Sequence, residues 1–259
     1  MAKFDSKKLL KTLTANQGSI LVPHIESHLT KRENFPEKWV IEIPNFKKGD
    51  GYYHPSGDCF TSPTDLWKKK KGLLLHKPVN SALQRTFDCG HMWHGYIQNL
   101  LIHMGFVLPE NVERHLLKTI LESPEVIGSG TADLVDVQIP GQGSWLVDIK
   151  TMGKKEFEAG ANEWTMLKWR AQVNCYMDWL DTEKAMILAI CKDSPHIMRE
   201  YQIVRDDELL KQIYERWAYA SYCYEKDTMP ETKEEIDPRL QARGDSSLDE
   251  VEAGLVVAN

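Results

Sequence analysis

The sequence predicts an α/β fold in which a central mixed β-sheet is flanked by helices. Segments of strand-like composition and of helical spacing follow one another in the order helix, three strands, helix, two strands, helix. A turn-forming stretch at 138–143 joins two of the strands as a hairpin. Apolar residues make up 42% of the 259 residues, which is enough for a sizeable core.

The amino-terminal region gives the least regular pattern. A short helix is predicted near residues 6–14, and loops rich in Pro, Gly and Lys are predicted from there to residue 80. The first strong helix is predicted over 86–105, because its apolar residues share one broad face. Gly105 suits the position that follows the last turn of this helix.

Five strands and two further helices are predicted beyond this helix. The strands contain mainly apolar and β-branched residues and cover 112–117, 126–137, 145–151, 185–191 and 197–204. The helices cover 163–180 and 206–226. Three acidic residues at 206–208 suit the positive end of the second helix dipole.

The net charge of −6 is concentrated at the carboxyl end. Residues 227–259 contain nine acidic and three basic residues, which predicts a solvated, disordered tail. The remaining neutral body can still contain a basic channel, because screening limits phosphate attraction to about 8–10 Å. The chain is therefore divided into an amino-terminal extension (1–80), a core (81–226) and an acidic tail (227–259).

Composition excludes several classes of protein. No stretch approaches the roughly 20 apolar residues that cross a bilayer, and no secretion signal is recognisable, so a soluble intracellular protein without a membrane partner is expected. The five cysteines are odd in number and widely spaced, which argues against a disulfide framework. The absence of a CxxC pair argues against a zinc site.

An acid and a base project from the same face of one predicted strand. Asp148 and Lys150 are two residues apart, so their side chains lie side by side, whereas Val147 and Ile149 point the other way. Two interpretations stay open for this pair on its own. It is either an ion pair at a strand end or part of a catalytic site.

A second carboxylate is expected beside this pair. Asp133 lies on the preceding strand, and the hairpin brings it next to Asp148. Two carboxylates about 4 Å apart repel by roughly 4 kcal/mol at an effective dielectric near 20, and Lys150 offsets only part of this. A divalent cation such as Mg²⁺ or Mn²⁺ would remove the conflict. Asp136, three residues further along, is interpreted as a surface acid.

Two helices supply further polar residues. His94 lies on the apolar face of helix 86–105, and a core histidine is the favoured interpretation of this residue alone. Gln172 and Tyr176 are four residues apart on helix 163–180, and Lys168 extends the same stripe. Alone, this stripe is interpreted as the polar edge of an amphipathic helix.

Together, these residues resemble the RecB-like branch of the PD-(D/E)xK nuclease superfamily over about residues 53–226. The pattern of that branch is a helix with Gly and then His, a GxxD strand, a DxK strand and a QxxxY helix. All four occur here in that order, at residues 90–94, 130–133, 148–150 and 172–176. The set is closest in character to CRISPR-associated RecB-like nucleases and to exonucleases of bacterial viruses. The resemblance implies a restriction-endonuclease-like nuclease core in the cytoplasm of a bacterium or a virus-infected cell.

The resemblance also implies a metal-dependent DNA nuclease and a role for each residue. Lys150 would orient or activate the attacking water, a role that suits a lysine whose proton affinity is reduced by metal and burial. Gln172 and Tyr176 would position DNA near the scissile phosphate. The Mg²⁺ or Mn²⁺ ligands would be His94, Asp133, Asp148 and the Ile149 carbonyl, with Glu113 as an additional acid.

The expected substrate is DNA, at ends or in single strands. An exonuclease is favoured because the resemblance links QxxxY to end-processing members; an endonuclease and a non-catalytic DNA-binding or adaptor module are the alternatives. A strand-annealing recombination protein is a partner by analogy alone. DNA contacts are assigned to the lysine run beside Trp67, with a solvated face as its alternative, and to two residues of helix 163–180: Lys68, Lys69, Lys70 and Lys71, then Lys168 and Arg170.

An iron–sulfur cluster is not expected. Many members of this branch hold one with a single early cysteine and three clustered late ones. Cys59 lies near the early position, but only Cys223 follows Cys191, so the late trio is missing. Cys59 is therefore expected to be a plain buried thiol.

Overall fold

A computed structural model of the chain describes residues 18–31, 39–41, 51–74, 80–194 and 198–231. Its centre is a five-stranded sheet with the strands in sequential order. The strands are β1 (Val112–Leu121), β2 (Val126–Ile139), β3 (Gly143–Met152), β4 (Ala185–Cys191) and β5 (Met198–Ile203). Neighbouring strands are antiparallel except for β3 and β4, which are parallel, so the sheet is mixed, as the sequence predicts.

Helices cover both faces of the sheet. Those in the described part of the chain are α1 (Val22–Lys31), α2 (Pro55–Asp58), α3 (Pro63–Lys70), α4 (Ser81–His103), α5 (Lys154–Ala159), α6 (Glu163–Leu180) and α7 (Asp207–Glu225). Not one of them combines the length and the apolar composition that a bilayer crossing requires.

Most of the predicted elements are present, and several bounds agree with the structure. Helix α6 and strand β4 begin and end where the sequence predicts, and the β2–β3 hairpin turns at positive-φ glycines, Gly141 and Gly143. Helix α5 was not predicted. The helix expected near residues 6–14 and most of the acidic tail lie outside the described residues.

The prediction of loops up to residue 80 is wrong in part, because α1, α2 and α3 lie in that region. Helix α3 has a local signal, since Ser62 caps it by accepting a hydrogen bond from the Asp65 N–H, and Pro63 follows. The start of helix α1 is instead stabilised by a residue that is distant in sequence. The Glu200 carboxylate on β5 accepts hydrogen bonds from the Ser19 hydroxyl and from the N–H groups of residues 20, 21 and 22, where α1 begins.

The two faces of the sheet bury different helices. Val147 and Ile149 of β3 pack with Ile97 and other apolar residues of α4 on one face. Leu146 packs with Val173 of α6 on the other face. The alternation predicted for β3 is therefore confirmed, and Asp148 and Lys150 belong to the α6 face.

Helix α7 lies behind α6 and holds the segment around Tyr53 against the sheet. The Tyr53 ring stacks on Trp217 at 5.1 Å, and its hydroxyl bonds to the Trp217 carbonyl oxygen at 3.0 Å. The Tyr53 backbone bonds to Ile127 at 3.0 Å and to Ser129 at 2.8 Å. Tyr53 therefore pairs with the beginning of β2, while β3 pairs with its end.

Candidate active site

The candidate site lies where β2 and β3 separate. The backbone pairing between these strands extends from the hairpin to Leu134 and Val147 and is interrupted on the way by a bulge near Asp136. Beyond Leu134 and Val147 it ends. We call the gap beyond it the β2–β3 fork, bounded by residues 130–133 of β2 and 148–150 of β3. Inside the fork a side chain replaces the ladder, because Asp133 Oδ2 accepts a hydrogen bond from the Ile149 N–H at 2.6 Å.

Three groups with metal-binding atoms meet at this fork. They are His94 from α4, Glu113 from β1 and Asp133 from β2, and their ligand atoms all lie within 4.8 Å of one another. The register explains two of them, since the β1–β2 pairs on either side place Glu113 opposite Asp133. His94 Nδ1 lies 3.5 Å from Asp133 Oδ2.

The Asp148–Lys150 pair lies beside this trio and outside it. Asp148 is 2% exposed, and its Oδ2 lies 2.9 Å from Lys150 Nζ. Lys150 Nζ also donates to Gln172 Oε1 at 3.0 Å, while Gln172 Nε2 donates to Asp148 Oδ1 at 3.3 Å. Tyr176 completes the chain, because its hydroxyl accepts from Gln172 Nε2 at 3.4 Å. Through Gln172, helix α6 therefore fixes the positions of the Asp148 carboxylate and the Lys150 ammonium relative to each other.

The carboxyl groups of the fork differ in proton affinity. Burial, followed by the charge of Asp133, raises the pKa of Asp148 to about 6 despite the opposing charge of Lys150. The same two causes raise the pKa of Glu113. Burial also favours the neutral form of Asp133, but the charges of His94 and Lys150 and the hydrogen bonds from His94 and the Ile149 N–H together hold the pKa of Asp133 below its ordinary value.

The cationic partners are held in their charged forms. Burial opposes the charge of His94, but Asp133 outweighs burial and raises the pKa of His94. Burial likewise opposes the charge of Lys150, yet Asp148 and Asp133 together raise the pKa of Lys150. The reduced proton affinity that was expected from metal and burial together stays a prediction. The two neighbouring carboxylates by themselves favour the ammonium form of Lys150.

Two glycines of the sequence motifs allow helices to approach the fork closely. A Cβ atom at Gly130 would lie 2.7 Å from Cε1 and 2.8 Å from the hydroxyl of Tyr176. A Cβ atom at Gly90 would lie 3.3 Å from the Thr151 hydroxyl oxygen. The first approach admits the QxxxY helix to one face of the sheet, and the second admits α4 to the other.

The predicted lysine run lies on α3 and its end, where its members have partners within the chain. Lys69 pairs with Asp58 at 2.5 Å, Lys71 pairs with Asp227 at 2.6 Å, and Lys68 lies 3.7 Å from Asp65. The Lys70 ammonium lies over the rings of Tyr53 and Tyr224 at 4.8 and 5.5 Å. Each of the four lysines is thus partly buried and has a partner within the chain, and DNA contact by this run stays a prediction.

The remaining predicted positions have varied surroundings. Arg170 is 6% exposed and pairs with Asp206 at 3.2 Å, so its guanidinium joins α6 to the start of α7. Lys168 lies over the Trp164 ring at 5.9 Å. Asp136 is exposed, as expected, and accepts hydrogen bonds from its neighbours in the hairpin.

Cys59 is buried, as the sequence predicts. Its exposed fraction is 3%, and its Sγ atom lies 3.9 Å from the Sγ atom of Cys175 on α6. The structure thus brings together two cysteines that are far apart in sequence.

Sequence reasoning missed Gln98, which positions Glu113. Gln98 is 7% exposed, and its Nε2 donates to Glu113 Oε1 at 2.6 Å. The signal was present, because Gln98 lies four residues after His94 and therefore on the same side of α4. A polar residue on that apolar face could have been read as a partner of the site.

No family model and no curated protein matches this chain. Among solved structures, the chain resembles an alkaline exonuclease, LHK-Exo, from Laribacter hongkongensis, with 16% identity and a TM-score of 0.46 over 76% of this chain and 95% of that one. For LHK-Exo in complex with dAMP, the identity is 14% and the TM-score 0.46, over 77% and 94% of the two chains. A phage-related exonuclease from Haemophilus somnus 129PT gives 14% and 0.40, over 74% and 96%.

Proposed function

We propose that this chain is a divalent-metal-dependent nuclease that hydrolyses phosphodiester bonds of DNA, at ends or in single strands. The supporting observation is that His94, Glu113 and Asp133, from three separate elements, lie within 4.8 Å of one another beside the buried Asp148–Lys150 pair. The carboxylates of Asp133 and Asp148 are only 12% and 2% exposed, and like charges with so little solvent around them repel each other. A bound cation would offset that repulsion. It would also support phosphodiester hydrolysis, in which the neighbouring Lys150 could stabilise charge on the phosphate.

The donor set fits Mg²⁺ or Mn²⁺. Carboxylate and carbonyl oxygens are the preferred ligands of both ions, and His94 would add one imidazole nitrogen to them. His94, Glu113 and Asp133 would hold the ion, with Asp148 and the Ile149 carbonyl as further proposed ligands. When bound, such an ion lowers the pKa of a water ligand and polarises a phosphoryl oxygen.

The residues of the chain supply the remaining functions. Lys150, as an ammonium group, is placed to bind the reacting phosphate and to stabilise the negative charge that develops on it. Gln172 bridges Lys150 and Asp148, so it fixes where the ammonium points. Tyr176 supports Gln172 from the next turn of α6. We assign the last two residues to positioning of the site and of the DNA beside it.

A comparison of linear and circular DNA tests the proposal. The protein is incubated with each DNA and with Mg²⁺ or Mn²⁺, then with EDTA, and the assay is repeated with Asp148→Asn and Lys150→Ala. We expect metal-dependent loss of linear DNA that both substitutions abolish. Degradation of linear DNA by both variants at the rate of the unsubstituted chain would indicate a contaminant or a different site and would overturn the proposal.

The same assay separates the alternatives. Cleavage of closed circles would indicate an endonuclease with the same chemistry. Retained DNA binding without cleavage at any metal concentration would indicate a non-catalytic DNA-binding module. The QxxxY resemblance favours action at ends, so intact circles beside degraded linear DNA is the expected pattern.

A further inference from the structure

A half-buried aromatic pair lies at the start of α6, away from the carboxylates of the fork. Phe60 and Trp164 pack with ring centroids 5.0 Å apart and an interplanar angle of 57°. Both rings rest on the cluster of buried residues between α6 and α7, but neither side chain is itself buried. Each therefore keeps part of its surface open to solvent.

Two cationic side chains accompany these rings. The Lys168 ammonium lies 5.9 Å from the centroid of Trp164, and the Arg216 guanidinium lies 5.8 Å from that of Phe60. Within the part of the chain that the structure describes, Lys168 forms no ion pair with a carboxylate. This differs from Lys69 and Lys71, which are paired with aspartates.

The pair is linked to the fork along one side of α6. Trp164, Lys168 and Gln172 follow at four-residue steps, each of which advances about 6 Å and turns by about 40° around the helix axis. Gln172 contacts both Asp148 and Lys150. The aromatic pair therefore lies about 12 Å along the helix from the residue that contacts the proposed catalytic groups.

We propose that Phe60 and Trp164 form a stacking platform for a nucleobase of single-stranded DNA, a few nucleotides from the scissile phosphate, with Lys168 contacting a backbone phosphate. The platform rests on the proposed function for its location relative to the cleaved bond. Aromatic rings that are partly exposed to solvent and lie beside a cation are a combination by which proteins bind single strands without reading sequence, since every base has a face to stack. Single-stranded nucleic acid fits this surface better than a protein partner does, because the cations border the rings directly.

The test measures binding of a fluorescent single-stranded oligonucleotide of about 12 nucleotides to the full chain by anisotropy. EDTA is present throughout, so no cleavage occurs. Trp164→Leu keeps apolar bulk but removes the ring, and is expected to weaken binding about tenfold. Trp164→Phe keeps a ring and is expected to bind like the wild type. Phe60→Leu provides a second variant with an expected loss of similar size.

The salt dependence of binding distinguishes the contribution of Lys168 from that of the two aromatic rings. Lys168→Met keeps the aliphatic stem over Trp164 but removes one phosphate contact, so the slope of log affinity against log salt should fall by about 0.7. Trp164→Leu should weaken binding with an unchanged slope. Lys211→Met, on the exposed side of α7, and Trp169→Leu, on another face of α6, are the matched controls and should alter neither value.

Normal binding by Trp164→Leu and Phe60→Leu would overturn the platform, as would binding by Trp164→Phe as weak as that of Trp164→Leu. A chain that cleaves no DNA but loses binding on Trp164→Leu would support the platform while contradicting the proposed chemistry. A metal-dependent nuclease whose Trp164→Leu variant binds normally would overturn the platform alone.

Discussion

Lys150 is the residue whose proposed role depends most on its surroundings. An isolated buried lysine loses its proton readily, but here Asp148 and Asp133 raise its pKa. A protonated lysine cannot take a proton from water. It can neutralise charge on a phosphate, and its contact with Gln172 fixes its direction.

Lys150→Met is therefore expected to separate catalysis from metal binding. Cleavage should fall by about a hundredfold or more, because the charge opposite the reacting phosphate is lost. Affinity for Mn²⁺ should stay the same or rise, because a positive charge next to the ion has been removed. Titration calorimetry with Mn²⁺ and a nuclease assay measure the two effects, with Lys155→Met on α5 as the exposed control. Loss of Mn²⁺ binding in Lys150→Met would contradict this role.

Metal affinity should also depend on pH. Binding requires ionised carboxylates and a neutral imidazole. The pKa of Asp148 is raised to about 6, and the pKa values of Glu113 and His94 are raised as well. All three groups bind protons more readily than usual, so protons compete with the metal as pH falls. Affinity for Mn²⁺ should be highest near pH 8 and should decrease through about pH 6; an affinity that is flat between these values would contradict the shifts.

At the scale of elements, the fork depends on how closely α6 approaches β2. Gly130 allows that approach, because any Cβ atom there would overlap the Tyr176 ring, whose neighbour Gln172 holds Lys150. The GxxD and QxxxY motifs are thus two sides of one packing contact. Their residues could be found by pattern, but the contact between them required the fold.

Gly130→Ala is expected to reduce stability by about 1–3 kcal/mol through overpacking. It should also lower cleavage, since displacement of Tyr176 moves Gln172. Gly57→Ala is the matched control, because nothing lies within 4 Å of a Cβ atom at that position. Urea unfolding and the nuclease assay, run on both variants, measure the two effects. A Gly130→Ala variant as stable and active as Gly57→Ala would show that α6 has room to move.

Helix α1 should depend on a carboxylate from the far edge of the sheet. Glu200→Ala leaves the first N–H groups of α1 without their acceptor, at an expected cost of about 1–3 kcal/mol. Glu183→Ala is the control. The Glu183 side chain is 75% exposed, and its ion pair with Arg205 has a long separation of 3.9 Å, so it contributes little to stability. Denaturant unfolding compares the two. Equal stability would mean that water replaces Glu200 without loss.

At the scale of the whole molecule, the sequence predicted the core better than its periphery. The strands of the sheet follow one another in sequence order, and their periodicity is local, so α6 and β4 could be located from pattern alone. Helix α1 could not, because its cap comes from β5. Asp148 and Lys150 follow from spacing along one strand. The short distance between Glu113 and His94 could not be predicted in this way. It depends on the register between β1 and β2 and on a positive φ at Glu113.

The acidic residues beyond the described part of the chain bear on the molecule as a whole. Deletion of residues 232–259 removes a net negative segment, so DNA affinity should rise several-fold at low salt. The gain should shrink toward physiological salt, where the Debye length falls to about 8 Å. Anisotropy at several salt concentrations measures this gain in affinity. A full-length chain with the tail acids changed to amides loses the same negative charge and should show a similar gain. Affinity that deletion leaves unchanged would contradict an electrostatic role for the tail.

The hydrogen bond from the Ile149 N–H to Asp133 means that one carboxylate serves both the proposed chemistry and the cohesion of the sheet. Truncation of Asp133 to alanine would leave that amide without its acceptor and loosen the join between two central strands. An inactive alanine variant would therefore not distinguish a missing ligand from a disturbed scaffold. Asparagine keeps an oxygen for the amide while removing the negative charge, which makes it the cleaner knockout. For the same reason, a related chain without the proposed catalysis would still need an acceptor at this position.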